Sequence, residues 1–192
     1  MNDTHVVAIC GSLRDASFTR IGLDRALSAA EEFGASTDHI DLRELDLPVF
    51  DPDDRDAGDA DELRRRVDAA DSVLLGSPVY HGSYSSALKN ALDYCGFDEF
   101  EHTTVGLLAV SGGAFPVTTL DHLRSVCRAL NAWVVPHQAA IPTARSQFDG
   151  TAFLDANVEE RIETLGRRVV EYAHIEPDPR TVESIENVGG DD

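Results

Sequence analysis

Hydroxyls and one guanidinium crowd the loop within the stretch VVAICGSLRDASFTR, from Val6 to Arg20: Ser12, Arg14, Ser17 and Thr19 follow Gly11 at the end of an apolar run. Such a set binds an anion. Gly11 permits a sharp turn, and the residues after it open a helix whose unpaired N–H groups and positive dipole end favour a phosphate. The Walker pattern is excluded because no Gly-Lys-Ser/Thr follows Gly11, and the dinucleotide fingerprint because Gly11 is the only glycine of the stretch. A hydroxyl-rich loop suits a terminal monophosphate better than a bridging pyrophosphate, because several oxygens then accept hydrogen bonds. The competing reading is structural: Ser12 or Ser17 caps the helix and Arg14 is a solvated charge.

Two further loops carry unusual residues. In SPVYHGSYS, Pro78 stiffens the chain beside Val79, Gly82 permits close approach, and Tyr80 offers a flat apolar face with a polar end. That suits a planar heterocycle, with core packing or an oligomer contact as the alternative. Ser111, Gly112 and Gly113 combine small side chains with free N–H groups that can meet the polar edge of a ring, or they simply make a turn. His81 is the titratable candidate for delivering a proton to an acceptor oxygen, against a packing or hydrogen-bonding role. Cys10, Cys95 and Cys127 form no Cys-x-x-Cys and read as small buried apolar residues, and the histidines form no His-x-x-x-His pair, so no metal is expected.

The elements that must position these loops alternate along the chain. Val6–Ile9 is apolar without alternation, as in a parallel strand buried on both faces. Leu23, Ala26, Leu27 and Ala30 recur at helical spacing before Phe33-Gly34. Ser36–Leu42, Ser72–Gly76 and Val105–Val110 read as strands; Leu63 to Ala70, Ser85–Cys95, Leu120 to Leu130 and Val158 to Val169 read as helices. Trp133–Val135, extended through Ala139 to Ile141, is the last strand. Strands alternating with helices imply a parallel sheet covered on both faces, with ligands in the crevice at the strand C-terminal ends. The three unusual loops follow the first, third and fourth strands, so they are expected to converge there. Leu45–Gly58 reads as an acidic loop long enough for a lid or an oligomer contact.

The 192 residues fit a single domain, taken as 1–176, followed by an acidic tail at 177–192 that is expected to be disordered. No apolar run reaches the ~18 residues of a membrane span, and MNDTH does not begin a signal peptide, so a soluble cytoplasmic protein is expected. A net charge of -19 argues against nucleic acid as a partner. The acid is dispersed, and Lys89 is the only lysine, a combination that suggests adaptation to high salt, with a basic protein partner as the rival explanation.

GSLRDAS resembles the phosphate loop of the NAD(P)H-dependent FMN reductases, which include quinone, azo-dye and chromate reductases, and SPVYHGSYSSALKNALDY resembles their Ser-Pro-x-Tyr and Leu-Lys-Asn-Ala segment. With the Gly-Gly loop, the resemblance spans roughly Val6 to Leu130. It implies an α/β, three-layer flavodoxin-like fold with a five-stranded parallel sheet in the order 2-1-3-4-5. It implies FMN as cofactor, with its phosphate on Ser12, Arg14, Ser17 and Thr19. Its ring would lie against Pro78, Val79, Tyr80, His81 and Gly82, with Ser111, Gly112 and Gly113 at the far edge. NADPH or NADH would supply hydride to the flavin, a small acceptor such as a quinone or free flavin would remove it, and no side-chain nucleophile is needed. A homodimer or homotetramer is implied, in which Lys89 touches a ligand or subunit or else is a surface charge. The chain departs from many members at Val79 (Glu), His81 (Asn) and Ser86-Ala87 (Pro-Gly), positions that bear on substrate choice. The alternative is a flavodoxin-type FMN electron carrier that works with a protein partner.

Overall fold

The apolar run HVVAIC forms β1 (His5–Cys10), buried on both faces, in a computed structural model that describes residues 4–175. The acidic tail lies outside the described residues. β1 is flanked by β2 (Ser36–Asp41) and β3 (Ser72–Pro78), and β3 by β4 (Thr104–Val110), all parallel. The outer side of β4 carries β5 (Trp133–Val134) and β6 (Ala139–Ile141), each parallel to it. The order β2-β1-β3-β4-β5 matches the expected one, with β6 as a sixth piece. The single last strand read from the sequence is in fact two, with Pro136 between them, because proline cannot donate to the ladder.

Alternation along each strand sorts the core into two layers. Val6, Ala8, Cys10, Leu74 and Leu108 pack against α1 (Phe18–Glu32) and the last helix, which spans Ala156–Glu171. Val7, Ile9, Val73, Leu75 and Leu107 pack against the opposite layer. That layer holds α2 (Ala60–Asp68), α3 (Ser86–Tyr94), the short α4 (Phe97–Phe100) and α5 (Val117–Ala129), so the last helix is α6. Between α1 and α6 the contact is backbone-close: a Cβ on Gly166 would stand 2.0 Å from the Ala26 carbonyl oxygen. The β2 margin is polar, STDHID, and Arg66 of α2 binds Asp38 through two 2.7 Å hydrogen bonds and the His39 carbonyl at 3.1 Å.

Besides α4, two small features after β6 have no counterpart in the sequence expectations. A 3₁₀ turn (Ala144–Ser146) follows β6, and an antiparallel hairpin pairs β7 (Phe148–Asp149) with β8 (Ala152–Phe153). Aromatic stacking anchors the hairpin to the start of α1: Phe18 lies 4.8 Å from Phe148 and Phe148 lies 4.6 Å from Phe153. No helix among the described residues is long and apolar enough to cross a membrane.

Candidate active site

Gly11 closes β1 and joins two of the loops. Its N–H donates to the Gly76 carbonyl at 2.8 Å, and its own carbonyl accepts from Ser85 Oγ at 2.6 Å. Ser85 also caps α3, accepting from the Leu88 N–H at 3.1 Å, and donates its own N–H to Ser77 Oγ at 2.9 Å. A Cβ at Gly11 would fall 2.8 Å from Leu88 Cβ, so only glycine permits the loops after β1 and β3 to lie so close.

Beyond Gly11 the chain presents donors. Among the described residues, the N–H groups of Ser12, Leu13, Asp15, Ala16, Ser17 and Phe18 have no acceptor. Ser17 is the N-cap of α1, accepting from the Arg20 N–H at 3.1 Å, and keeps its hydroxyl hydrogen free to donate. Thus the capping and phosphate-binding readings of Ser17 are compatible. Ser12 is buried, with its Oγ 3.5 Å from the Arg14 nitrogen. Arg20, which the sequence reading passed over, bonds Asp41 at 2.8 Å and the carbonyls of Asp15 at 2.9 Å and Arg14 at 3.4 Å. It thereby occupies acceptors that would repel an anion. Its position one turn into the helix, three residues after the cap, was the available signal.

The second loop is a tight two-residue turn. Tyr80 and Ser83 exchange hydrogen bonds of 2.9 and 3.0 Å, with His81 at φ 51° and Gly82 at φ 78°. Both central residues are left-handed, the geometry of a type I′ hairpin turn. The Ser83 hydroxyl is 3.0 Å from His122 Nδ1 of α5, which fixes the turn from behind. Val79 donates to the Val110 carbonyl at 2.8 Å, tying this loop to the third. There, Ser111 donates to the Ile141 carbonyl at 2.9 Å and its Oγ accepts from Gly113 at 3.0 Å.

The three loops meet in a cleft of about 450 Å³ at the strand C-terminal ends. Arg14 and Thr19 line it from the first loop, Pro78, Val79 and Tyr80 from the second, and Ser111 and Gly112 from the third. Ser12, Ser17, His81, Gly82 and Gly113 do not line it; they shape the loops that do. His81 is exposed at the tip of its turn. Ala16, Phe18, Val110, Ala144 and Arg145 complete the walls. Of these, Arg145 is the functional candidate that sequence reasoning missed, although a basic residue just after the last strand of an acidic α/β chain was a usable signal. A larger groove of about 700 Å³ lies by Leu13, Val49 and Lys89, but its cations Arg43 and Lys89 are already paired with Asp15 and Asp93. Lys89 pairs with Asp93 one turn along α3, and the acidic loop is strapped to α3 by Asn90 and Tyr94, which both donate to the Pro48 carbonyl.

FMN fits this cleft in chemistry and size. Free N–H groups, the buried Thr19 and the exposed Arg14 offer a phosphate end, and Pro78, Val79 and Tyr80 offer an apolar wall for a ring. Gly112 has no atom within 4 Å of its Cβ position, so the backbone there is open to close approach. The volume falls in the ~300–1,000 Å³ range of small-ligand sites. Cys95 and Cys127 take no part: burial pushes both thiols up to about 12, where they are inert. No cluster of His, Cys, Asp and Glu among the described residues is arranged to hold a metal.

Comparison with known proteins agrees with this reading. The FMN-dependent NADPH-azoreductase of Staphylococcus aureus is 32% identical over 162 residues, covering 73% of this chain and 85% of that protein. The flavoenzyme NAD(P)H:(acceptor) oxidoreductase of Paracoccus denitrificans superposes with a TM-score of 0.74 at 18% identity, over 88% of this chain and 97% of the other. An apo NADH:FMN oxidoreductase superposes with a TM-score of 0.69 at 21% identity, over 92% and 97%. These two structures share the fold. Residues 4–146, which contain all three loops, match the family described as NADPH-dependent FMN reductase. The chain belongs to that family and is an FMN-dependent oxidoreductase that uses NAD(P)H.

Proposed function

We propose that this protein transfers hydride from NADPH or NADH to FMN in the cleft, and from there to a small acceptor such as a quinone, free flavin or azo compound. The observation that carries the proposal is the convergence of a phosphate end and a ring-sized apolar wall in one open cleft. When bound, FMN supplies the redox chemistry. The protein's residues bind and orient it. Arg14, Thr19 and the free N–H groups of the first loop hold the phosphate, on a loop that Ser12 and Ser17 shape. Pro78, Val79 and Tyr80 cover one ring face, and the Gly112 N–H stabilises negative charge at the ring edge. The His81 imidazole, exposed at the turn tip, is the candidate proton donor to the acceptor.

An azo acceptor is supported by the name of the Staphylococcus aureus relative, a quinone or flavin by the open cleft. The three free, buried cysteines suit a cytoplasmic protein. A homodimer or homotetramer is supported by Leu13 and the 88% exposed Val49 beside the large groove, and is tested by sedimentation velocity. Steady-state oxidation of NADPH and NADH by the FMN-loaded protein, with a quinone, free flavin or azo dye and no other protein, tests the activity. Turnover is expected. FMN binding with turnover only after addition of a redox protein would instead make this chain an electron carrier, the reading its acidity favours.

A further inference from the structure

The proposed cleft contains two arginines, and FMN carries one phosphate. The chain has 35 carboxylate residues against 16 lysines and arginines, so acidic partners for its cations are plentiful. Arg20, Arg25, Arg43, Arg64, Arg66, Arg167 and Arg168 all lie within 4 Å of a carboxylate. Arg14 and Arg145, like Arg55, Arg65, Arg124, Arg128 and Arg161, have no such partner among the described residues, and of these only Arg14 and Arg145 line the cleft. Arg14 belongs to the helix-terminal loop, where free N–H groups already supply donors to a phosphate.

Arg145 comes from a different wall. It sits on the 3₁₀ turn Ala144–Ser146, exposed, and that turn is fastened to the Gly-Gly loop rather than to α1 by backbone hydrogen bonds. Thr143 donates to the Gly113 carbonyl and Ala144 to the Ser111 carbonyl, both at 2.9 Å. Thr143 is held left-handed at φ 46°, ψ 45°, a conformation costly for a β-branched residue. The stacked pair Phe18 and Phe148 closes the segment from its other side. A strained residue and two backbone hydrogen bonds thus aim an unpaired guanidinium at the cleft, where small-residue loops leave the mouth open.

We infer that Arg145 is the subsite for a phosphate group of the incoming nicotinamide dinucleotide, distinct from the FMN phosphate site at Arg14. This rests on the reading under Proposed function. A guanidinium suits the role because it binds phosphate oxygens in a fork and stays charged at any working pH. The dinucleotide offers a pyrophosphate in both NADH and NADPH, and a 2′-phosphate in NADPH alone.

The test compares wild type, Arg145→Ala and Arg145→Lys, all loaded with FMN. Losing one charge-assisted contact should raise the KM of Arg145→Ala about tenfold or more with kcat little changed, and lysine should recover part of it. A rise for NADPH and NADH alike identifies the pyrophosphate, and a rise for NADPH alone the 2′-phosphate; either supports the subsite. Calorimetric titration of the same proteins with ADP and 2′,5′-ADP should show the same loss without turnover. Titration of the apoproteins by flavin fluorescence should give FMN and riboflavin affinities within twofold of wild type. Unchanged KM and unchanged nucleotide binding overturn the inference, as does a selective loss of FMN over riboflavin, which would assign Arg145 to the flavin phosphate. A wild type that turns over neither nucleotide, yet loses 2′,5′-ADP binding on Arg145→Ala, keeps the subsite and overturns the activity reading.

Discussion

Arg14 and Tyr80 mark the two ends of the proposed flavin site, and their substitution should have opposite selectivity. Arg14→Ala removes a charge that only the phosphate can use, so FMN affinity should fall by roughly 1.5–3 kcal/mol while riboflavin is nearly indifferent. Tyr80 is half exposed on a turn locked to Ser83, so Tyr80→Ala should weaken FMN and riboflavin alike, by about 1 kcal/mol. Fluorescence titration of both flavins against both variants checks this, and equal losses of FMN and riboflavin for Arg14→Ala would move the phosphate elsewhere. Arg14, Pro78, Tyr80 and Gly112 were legible in the sequence because rare residue types fall together in loops that follow strands. Arg145 was harder to read, because its claim depends on the 3₁₀ turn being tied to the Ser111 and Gly113 carbonyls, a property of the folded arrangement. Likewise, the positive φ of His81 emerges only from the double hydrogen bond between Tyr80 and Ser83.

Two element contacts give sharp tests. At Gly166, alanine should gain about 1 kcal/mol of helix propensity yet place a methyl 2.0 Å from the Ala26 carbonyl oxygen. Overpacking of about 1–3 kcal/mol or more outweighs the gain, so Gly166→Ala should lower the melting temperature by several degrees. The α1–β2 contact is electrostatic: His39 Nδ1 lies 2.7 Å from Asp24, and its Nε2 is buried without a hydrogen-bond partner among the described residues. Burial pulls the imidazole pKa down, but the hydrogen bond and charge of Asp24, joined by Cys10, overcome this and lift it to about 9. The folded state therefore holds a proton that the unfolded chain releases near 6.5. The resulting stability is present in full below about pH 6.5 and is lost as pH rises through 9. With allowance for the water that reaches Asp24, it amounts to about 1–2 kcal/mol. Urea unfolding of wild type and His39→Gln should therefore differ most at pH 6 and converge above pH 9; a constant gap would refute the linkage. The principal strands and helices were readable because their apolar residues repeat with the right period. β7 and β8 are too short for any period to show, and their place is set by Phe18, Phe148 and Phe153 meeting across distant parts of the chain.

For the whole molecule, charge is the dominant property. With a net charge of -19 and several arginines already matched to carboxylates, added salt screens more repulsion than attraction. The melting temperature should rise as KCl goes from dilute to molar; a flat or falling trend would favour the basic-partner explanation of the acidity. The outlying strands bear on how copies of the chain meet. On one side of the sheet, β2 exposes Ser36, and the guanidinium of Arg66 already binds the half-buried Asp38 and occupies the His39 carbonyl. On the other, β5 and β6 are two and three residues long with Pro136 between them. Neither margin offers a continuous row of free donors and acceptors to template a foreign strand. Among the described residues, cross-β pairing is therefore disfavoured at both ends of the sheet by short strands, a proline and a charged side chain. Any orderly association of this protein with itself has to be made by helices and loops.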